Sequence, residues 1–352
     1  MFSLPKTKFE LLIHPYRLAL ESRWPSRSFQ QGKLTREGWI LELRQGGWCG
    51  YGECAPLVEA GTESMRTAGK VLQRLTSQLQ DSGTTTGWLE SIRKEAPAVC
   101  CGLETAMLDL DSRKRDITMR RLLDAGATDS FRVNAMTGEA CVNGVQQACR
   151  QGFKVIKLKL GRRSFQEELR CLEAVAASLP RGTRLRLDAN RAWKPSTARR
   201  FLEAIADLPI DCLEEPLASP SIAELARLQN DTGLPLAIDE SLNHLDRTEL
   251  FDLAPVKRLV LKPMVLGGLR PTLELARQAN QCGMTPIVTS TLESSIGLHA
   301  TCQLAAVVET LAPGNHHGLA TASWFETNLA PPPLIEQGKV RLTDRPGLGI
   351  TP

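Results

Sequence analysis

The 352 residues, 42% of them apolar and 23% charged, are enough for one large core or for two domains. A net charge of only +4, with no Lys/Arg run, gives no electrostatic case for a nucleic-acid partner. No stretch approaches the roughly 20 apolar residues of a membrane span, and the opening MFSLPKTKFELLIHPYRL has no secretory apolar core. The ten cysteines are scattered without a C-x-x-C. A cytoplasmic protein with reduced, buried thiols is therefore expected.

KFELLIHPYRLAL and GWILELRQGGWCGYGE read as strands, and the second alternates apolar and polar residues up to a Gly-Gly turn suited to a hairpin. The polar stretch ESRWPSRSFQQGKLTREG separates them. Helical patterns follow in SMRTAGKVLQRLTSQL and PAVCCGLETAMLDLDSRKR. Strands first and helices after predict a small α+β module up to residue 128.

A different rhythm then begins. The apolar runs FRVNAM, KVIKLKL, RLRLDAN, DCLEEP, LAIDES, RLVLKP and TPIVTS alternate with segments of helical period, several of which start at Ser or Thr. Strand starts recur about every 25–30 residues, the length of a βα unit. With a weak eighth unit near HHGLATAS, they predict a (β/α) barrel. A doubly wound sheet would carry a Gly-rich phosphate turn after its first strand, and there is none. The Pro-rich tail APPPLIEQGKVRLTDRPGLGI offers one more strand, expected to return to the first module.

Polar residues recur at one place in each unit, the C-terminal end of the strand. These are Lys157 and Lys159, Asp188 with Asn190, Glu214–Glu215, Asp239–Glu240, Lys262, then Thr289 and Ser290. A barrel builds its active site at that end. Three convergent carboxylates without His or Cys call for a hard divalent cation, best Mg²⁺ with Mn²⁺ as substitute. The alternative is that the acids and lysines only form buried ion pairs. Lys157 and Lys159, two apart on a strand, share a face, with Ile156, Leu158 and Leu160 on the other. A lysine acts as a base when neutral, which burial, a second ammonium and a cation all favour. A metal between Lys159 and Lys262 suits removal of a proton next to a carboxylate.

Weaker signals surround this set. Arg186, two before Asp188, faces the same side. Gly267–Gly268 could bring backbone N–H groups to a carboxylate, and Ser290, Thr291 and Ser294 near a helix start could do the same. Arg23, Trp24 and Arg27, in the loop over 22–38, could close over the barrel mouth. The neighbouring His316–His317 reads as structural.

KLKLG, LRLDANRAW, CLEEP, AIDES, LVLKP and TSTLESSIGL resemble the barrel motifs of the enolase superfamily, in its muconate-lactonizing-enzyme subgroup. GYGECAPL and APAVCCGLETAMLDL are similar to its capping domain. The resemblance implies a modified (β/α)8 TIM-like barrel over 129–321 and an α+β capping domain over 1–128, completed by 322–352. It implies Mg²⁺ on Asp188, Glu214 and Asp239, Lys159 as catalytic base and acid, and Lys262 opposite it. Lys157, Arg186, Asn190, Glu215, Glu240, Gly267, Ser290 and Ser294 are the implied supporting or substrate-binding residues. LRLDANRAW, LEEP and DES are most similar to the subgroup's dehydratases of menaquinone and phylloquinone biosynthesis.

The implied substrate is a small-molecule carboxylate. The implied reaction is syn dehydration of 2-succinyl-6-hydroxy-2,4-cyclohexadiene-1-carboxylate to 2-succinylbenzoate through an ene-diolate. The first alternative is an N-acylamino-acid racemase or dipeptide epimerase using the same lysine pair. The epimerases' Asp-x-Asp after the eighth strand is absent from GLATASWFETN. The second alternative is a catalytically inactive metal-binding scaffold. No oligomeric state is implied.

Overall fold

The computed structural model describes residues 9–21, 35–81, 86–138 and 140–350. Strands β1 (Glu10–Ala19), β2 (Thr35–Gln45) and β3 (Trp48–Cys54) form an antiparallel meander. Gly46 and Gly47 join β2 to β3 with φ of 58° and 83°, the left-handed pair that a tight hairpin turn needs. Helices α1 (Met65–Asp81), α2 (Thr86–Glu95) and α3 (Pro97–Lys114) follow. A Cβ at Gly52 would fall 1.9 Å from the carbonyl oxygen of Gly102, so the bare backbone of β3 is what lets α3 lie directly on it. Leu41, Leu43, Leu72, Leu75, Val99 and Leu103 fill the core between them.

After α4 (Met119–Leu123) and β4 (Ser130–Val133) comes a parallel sheet. Its strands, side by side in chain order, are β5 (Ala135–Gly138), β6 (Val155–Lys159), β7 (Arg184–Asp188), β8 (Ile210–Glu214), β9 (Leu236–Ile238), β10 (Arg258–Leu261) and β11 (Thr285–Val288). Helices α5 (Val142–Arg150), α6 (Phe165–Ala177), α7 (Pro195–Ala204), α8 (Ile222–Thr232) and α9 (Arg247–Leu253) connect the first six. The short α10 (Pro263–Leu266) and α11 (Leu269–Gln281) precede β11, and α12 (Ser295–Leu311) follows it. Ser164 and Ser221 start α6 and α8 with complete capping boxes to Glu167 and Glu224. Ile156, Leu158 and Leu160 are buried in the same core as Leu172 and Val175 of α6, which leaves the lysines of β6 facing the barrel axis.

The ring closes through β12 (His316–His317). Gly318 N bonds Val288 O at 2.9 Å on one side, and β12 pairs in parallel with β4 on the other. FRVNAM is thus two strands, not one. Asn134 breaks it, its N–H donating to His317 O at 3.0 Å. The tail strands β13 (Leu334–Glu336) and β14 (Lys339–Arg341) also depart from expectation. They extend the sheet of β12 and β4 instead of joining β1–β3, because β14 pairs antiparallel with β4. The last described residues do reach the first module, where Leu348 N donates to Asp109 Oδ1 at 2.7 Å.

Candidate active site

A cavity of about 480 Å³ lies at the C-terminal ends of the barrel strands. Lys157, Lys159, Glu214, Asp239, Glu240 and Lys262 line it, and Leu57, Glu59 and Ala60 of the first module form part of its wall. Strand register explains the convergence. Lys159 on β6 is aligned with Asp188 on β7, and Asp188 with Glu214 on β8, so the three side chains leave the sheet on one side in a single row.

Asp188 Oδ2 accepts hydrogen bonds from Lys159 Nζ at 2.7 Å and pairs with Lys157 Nζ at 2.9 Å. Lys157 Nζ also donates to Glu214 Oε2. Across the ring, Lys262 Nζ lies 2.7 Å from Asp239 Oδ2 and 3.3 Å from Glu240 Oε1. Burial opposes the charge on Lys157, but Asp188, Glu214 and Asp239 outweigh it and hold this lysine well above its ordinary pKa. Burial also opposes the charge of Asp188, yet Lys157 and Lys159 keep its carboxyl below the usual carboxylate range. Burial and the charge of Glu240 push the Asp239 carboxyl upward, against the pull of Lys262 and Lys157. Lys262 is held above its ordinary range because Asp239 and Glu240 outweigh burial.

Among the described residues, no three His, Cys, Asp or Glu side chains are grouped as metal ligands. The acids are turned onto lysines, the ion-paired arrangement weighed as the alternative. The donor set still fits a hard divalent cation: it is all oxygen, on three successive strand ends, and Glu240 Oε2 is buried without a hydrogen-bond partner.

The supporting residues divide. Glu215 accepts from Asp239 N at 2.6 Å and Ser241 N at 2.9 Å, fixing the backbone that carries Asp239. Asn190, at φ 45°, bonds Asp188 Oδ1 through its backbone N–H at 3.0 Å and leaves its side chain at the cavity mouth. Arg186 is buried, 3.0 Å from Asp211 Oδ2 and 3.9 Å from Glu214 Oε1. Ser290 lines the cavity, its Oγ 2.9 Å from Thr321 Oγ1. His317 is structural, its Nδ1 accepting from Val288 N at 3.0 Å.

Two expectations are corrected. Gly267 faces away from the cavity, because the short α10 turns it toward the first module, where its carbonyl accepts from Arg93 Nε at 3.3 Å. Ser294 does cap a helix that holds a carboxylate, but the carboxylate is the protein's own Glu53, 2.6 Å from its Oγ. Arg23, Trp24 and Arg27 lie outside the described residues. Leu57, Glu59 and Ala60 were not expected at the site, since they lie in a short turn outside any periodic element.

The Enolase C-terminal domain-like family model matches residues 140–352, and the model of the MenC N-terminal domain matches residues 10–110. The o-succinylbenzoate synthase of Vibrio cholerae serotype O1 is 32% identical over 91% of each chain. Muconate lactonizing enzyme from Pseudomonas putida superimposes with a TM-score of 0.83 at 22% identity, covering 98% of this chain and 97% of that one. A dipeptide epimerase from Enterococcus faecalis, complexed with Mg and dipeptide L-Leu-L-Tyr, gives 0.84 at 22% identity over 97% and 99%.

The barrel belongs to the Enolase C-terminal domain-like family. Within it, the chain belongs to the o-succinylbenzoate synthase family, whose members are hydro-lyases. No helix among the described residues is long and apolar enough to cross a membrane.

Proposed function

We propose that this chain dehydrates 2-succinyl-6-hydroxy-2,4-cyclohexadiene-1-carboxylate to 2-succinylbenzoate, with Lys159 moving the proton. The observation that carries this reading is the placement of two lysines on opposite walls of one cavity. Lys159 is on β6 and Lys262 directly follows β10, the second and sixth strands of a ring of eight. Asp188, Glu214 and Asp239 would hold Mg²⁺, with Mn²⁺ as substitute. Bound there, the cation would withdraw charge from the substrate carboxylate and make its α-proton removable.

Lys159 then takes that proton at Nζ, and the resulting ammonium returns it to the departing hydroxide. Both groups leave one face, so one lysine serves both steps. Lys262 stays charged, held so by Asp239 and Glu240, and offsets negative charge that builds up on the opposite face. Glu215 keeps the backbone of Asp239 in place.

The test is an ultraviolet assay for 2-succinylbenzoate with and without EDTA. Metal-dependent product formation supports the reading. No product, together with α-proton exchange of N-acylamino acids in D₂O, would replace dehydration by racemisation.

A further inference from the structure

Away from the lysine–carboxylate row, two more acids are buried together where the first module meets the barrel. Glu53 of β3 accepts hydrogen bonds from Tyr16 Oη, from Ser294 N at 2.8 Å and Oγ at 2.6 Å, and from Gly297 N at 2.8 Å. Glu293 accepts from Thr291 N at 2.6 Å and Thr301 Oγ1 at 2.8 Å. Each is 1% exposed. They meet at Gly297, where an added Cβ would stand 2.8 Å from both Glu53 Oε2 and Glu293 Cγ.

Arg36 of β2 grips the same segment. Its guanidinium donates to Leu292 O at 2.9 Å and Thr291 O at 3.4 Å, and also to the carbonyls of Ala55 and Pro56. The gripped segment begins as a wall of the cavity, formed by Ser290, Thr291 and Leu292. Leu292 is held at φ 61°, a left-handed conformation that a leucine keeps only when its surroundings impose it.

We propose that Glu53 and Arg36 are positioning residues that set the wall at 290–292 for substrate, and that they do so while Glu293 is protonated. Charge balance gives the reason. Arg36, buried at this junction, gives its hydrogen bonds to backbone carbonyls and not to either acid, so a second ionised acid beside Glu53 would be uncompensated. The other titratable groups facing the pair are Tyr16 on β1, Cys54 on β3, Cys101 on α3 and Cys302 on α12, and burial raises all four, which keeps them neutral. The N-terminal end of α12 turns the N–H groups of Ser294 and Gly297 onto Glu53. Burial and then the charge of Glu53 push Glu293 up to about 7. At higher pH a second negative charge appears beside Glu53 and loosens its grip.

The kinetic arm of the test rests on the proposed dehydration, whereas the exchange arm does not. Glu53→Gln sets an amide against the donors of Ser294 and Gly297. It should raise KM about tenfold while kcat stays within about threefold. Backbone hydrogen exchange across residues 291–297 should quicken, with β6 and β7 unchanged. Ser294→Ala removes one donor and should shift both readouts the same way by less, which covers a failure of Glu53→Gln to fold.

Wild-type KM should rise above about pH 7, and Glu293→Gln, which imitates the protonated acid, should flatten that rise. Unchanged exchange and KM in both Glu53→Gln and Ser294→Ala would overturn the positioning role. A rise in KM above about pH 7 as steep in Glu293→Gln as in the wild type would overturn the protonation. Quickened exchange in a protein that makes no 2-succinylbenzoate would support the grip on the wall and count against the proposed reaction instead.

Discussion

Lys159 and Asp188 are directly aligned across β6 and β7, and Lys159 Nζ lies 2.7 Å from Asp188 Oδ2. One strand pairing thus ties the proposed proton-moving group to a proposed metal ligand. Lys157, two residues earlier, reaches the same oxygen at 2.9 Å and also reaches Glu214. The two lysines compensate the acids in the arrangement described, and this makes their separate roles accessible to substitution.

Lys159→Ala should lower kcat by about a thousandfold or more, because the remaining amine on that face, Lys157, is held charged by Asp188, Glu214 and Asp239 and cannot accept the proton. Lys157 remains paired with Asp188 and Glu214, so the carboxylates stay in place and Mg²⁺ binding by titration calorimetry should be largely preserved. Near-normal turnover in this variant would sink the assignment of Lys159.

Removing divalent metal with EDTA should abolish activity without unfolding the barrel. The buried carboxylates keep lysine partners, so no uncompensated negative charge is left to force the strands apart. Far-ultraviolet circular dichroism should be unchanged, and added Mg²⁺ or Mn²⁺ should restore turnover. Loss of secondary structure in EDTA would show that the lysines do not compensate the acids.

The row of acids was legible because it obeys a local rule: inward residues alternate along each strand, and the five strands β6 to β10 each end in a charge or are directly followed by one. Helix starts at Ser or Thr were legible for the same reason, since a capping box such as those at Ser164 and Ser221 spans only four residues. What was not legible depends on residues far apart in the chain. Ser294 looked like a substrate-carboxylate site, but Glu53, 241 positions away, occupies it. Gly267 looked like part of the site until the short α10 turned it toward Arg93. The backbone contact between Gly52 and Gly102 and the break at Asn134 have no signature in hydrophobic period.

Glu215→Ala should weaken metal binding by about 10- to 100-fold, the usual effect of losing a group that orients a ligand. Glu215 touches the barrel through the N–H groups of Asp239 and Ser241 and the Ser241 hydroxyl, so its loss frees the turn that carries Asp239. Calorimetric titration with Mg²⁺ is the measurement, and unchanged affinity would remove Glu215 from the site.

Asp211 joins two arginines below the acids: Arg186 Nε at 3.0 Å and Arg258 Nη1 and Nη2 at 2.8 Å each. Replacing it by Asn leaves two guanidinium groups without their shared anion, and should cost about 3–5 kcal/mol of stability in urea unfolding. Burial raises the pKa of Asp211, but Arg186 and Arg258 outweigh it and the net shift is downward. The contribution of Asp211 to stability is therefore full above its unfolded pKa of about 3.9 and is lost as pH falls toward the lower folded value. Wild-type stability should fall more steeply than that of Asp211→Asn below about pH 4, so the two curves converge in acid. Parallel curves would mean that the carboxylate is not what holds Arg186 in place beneath Glu214.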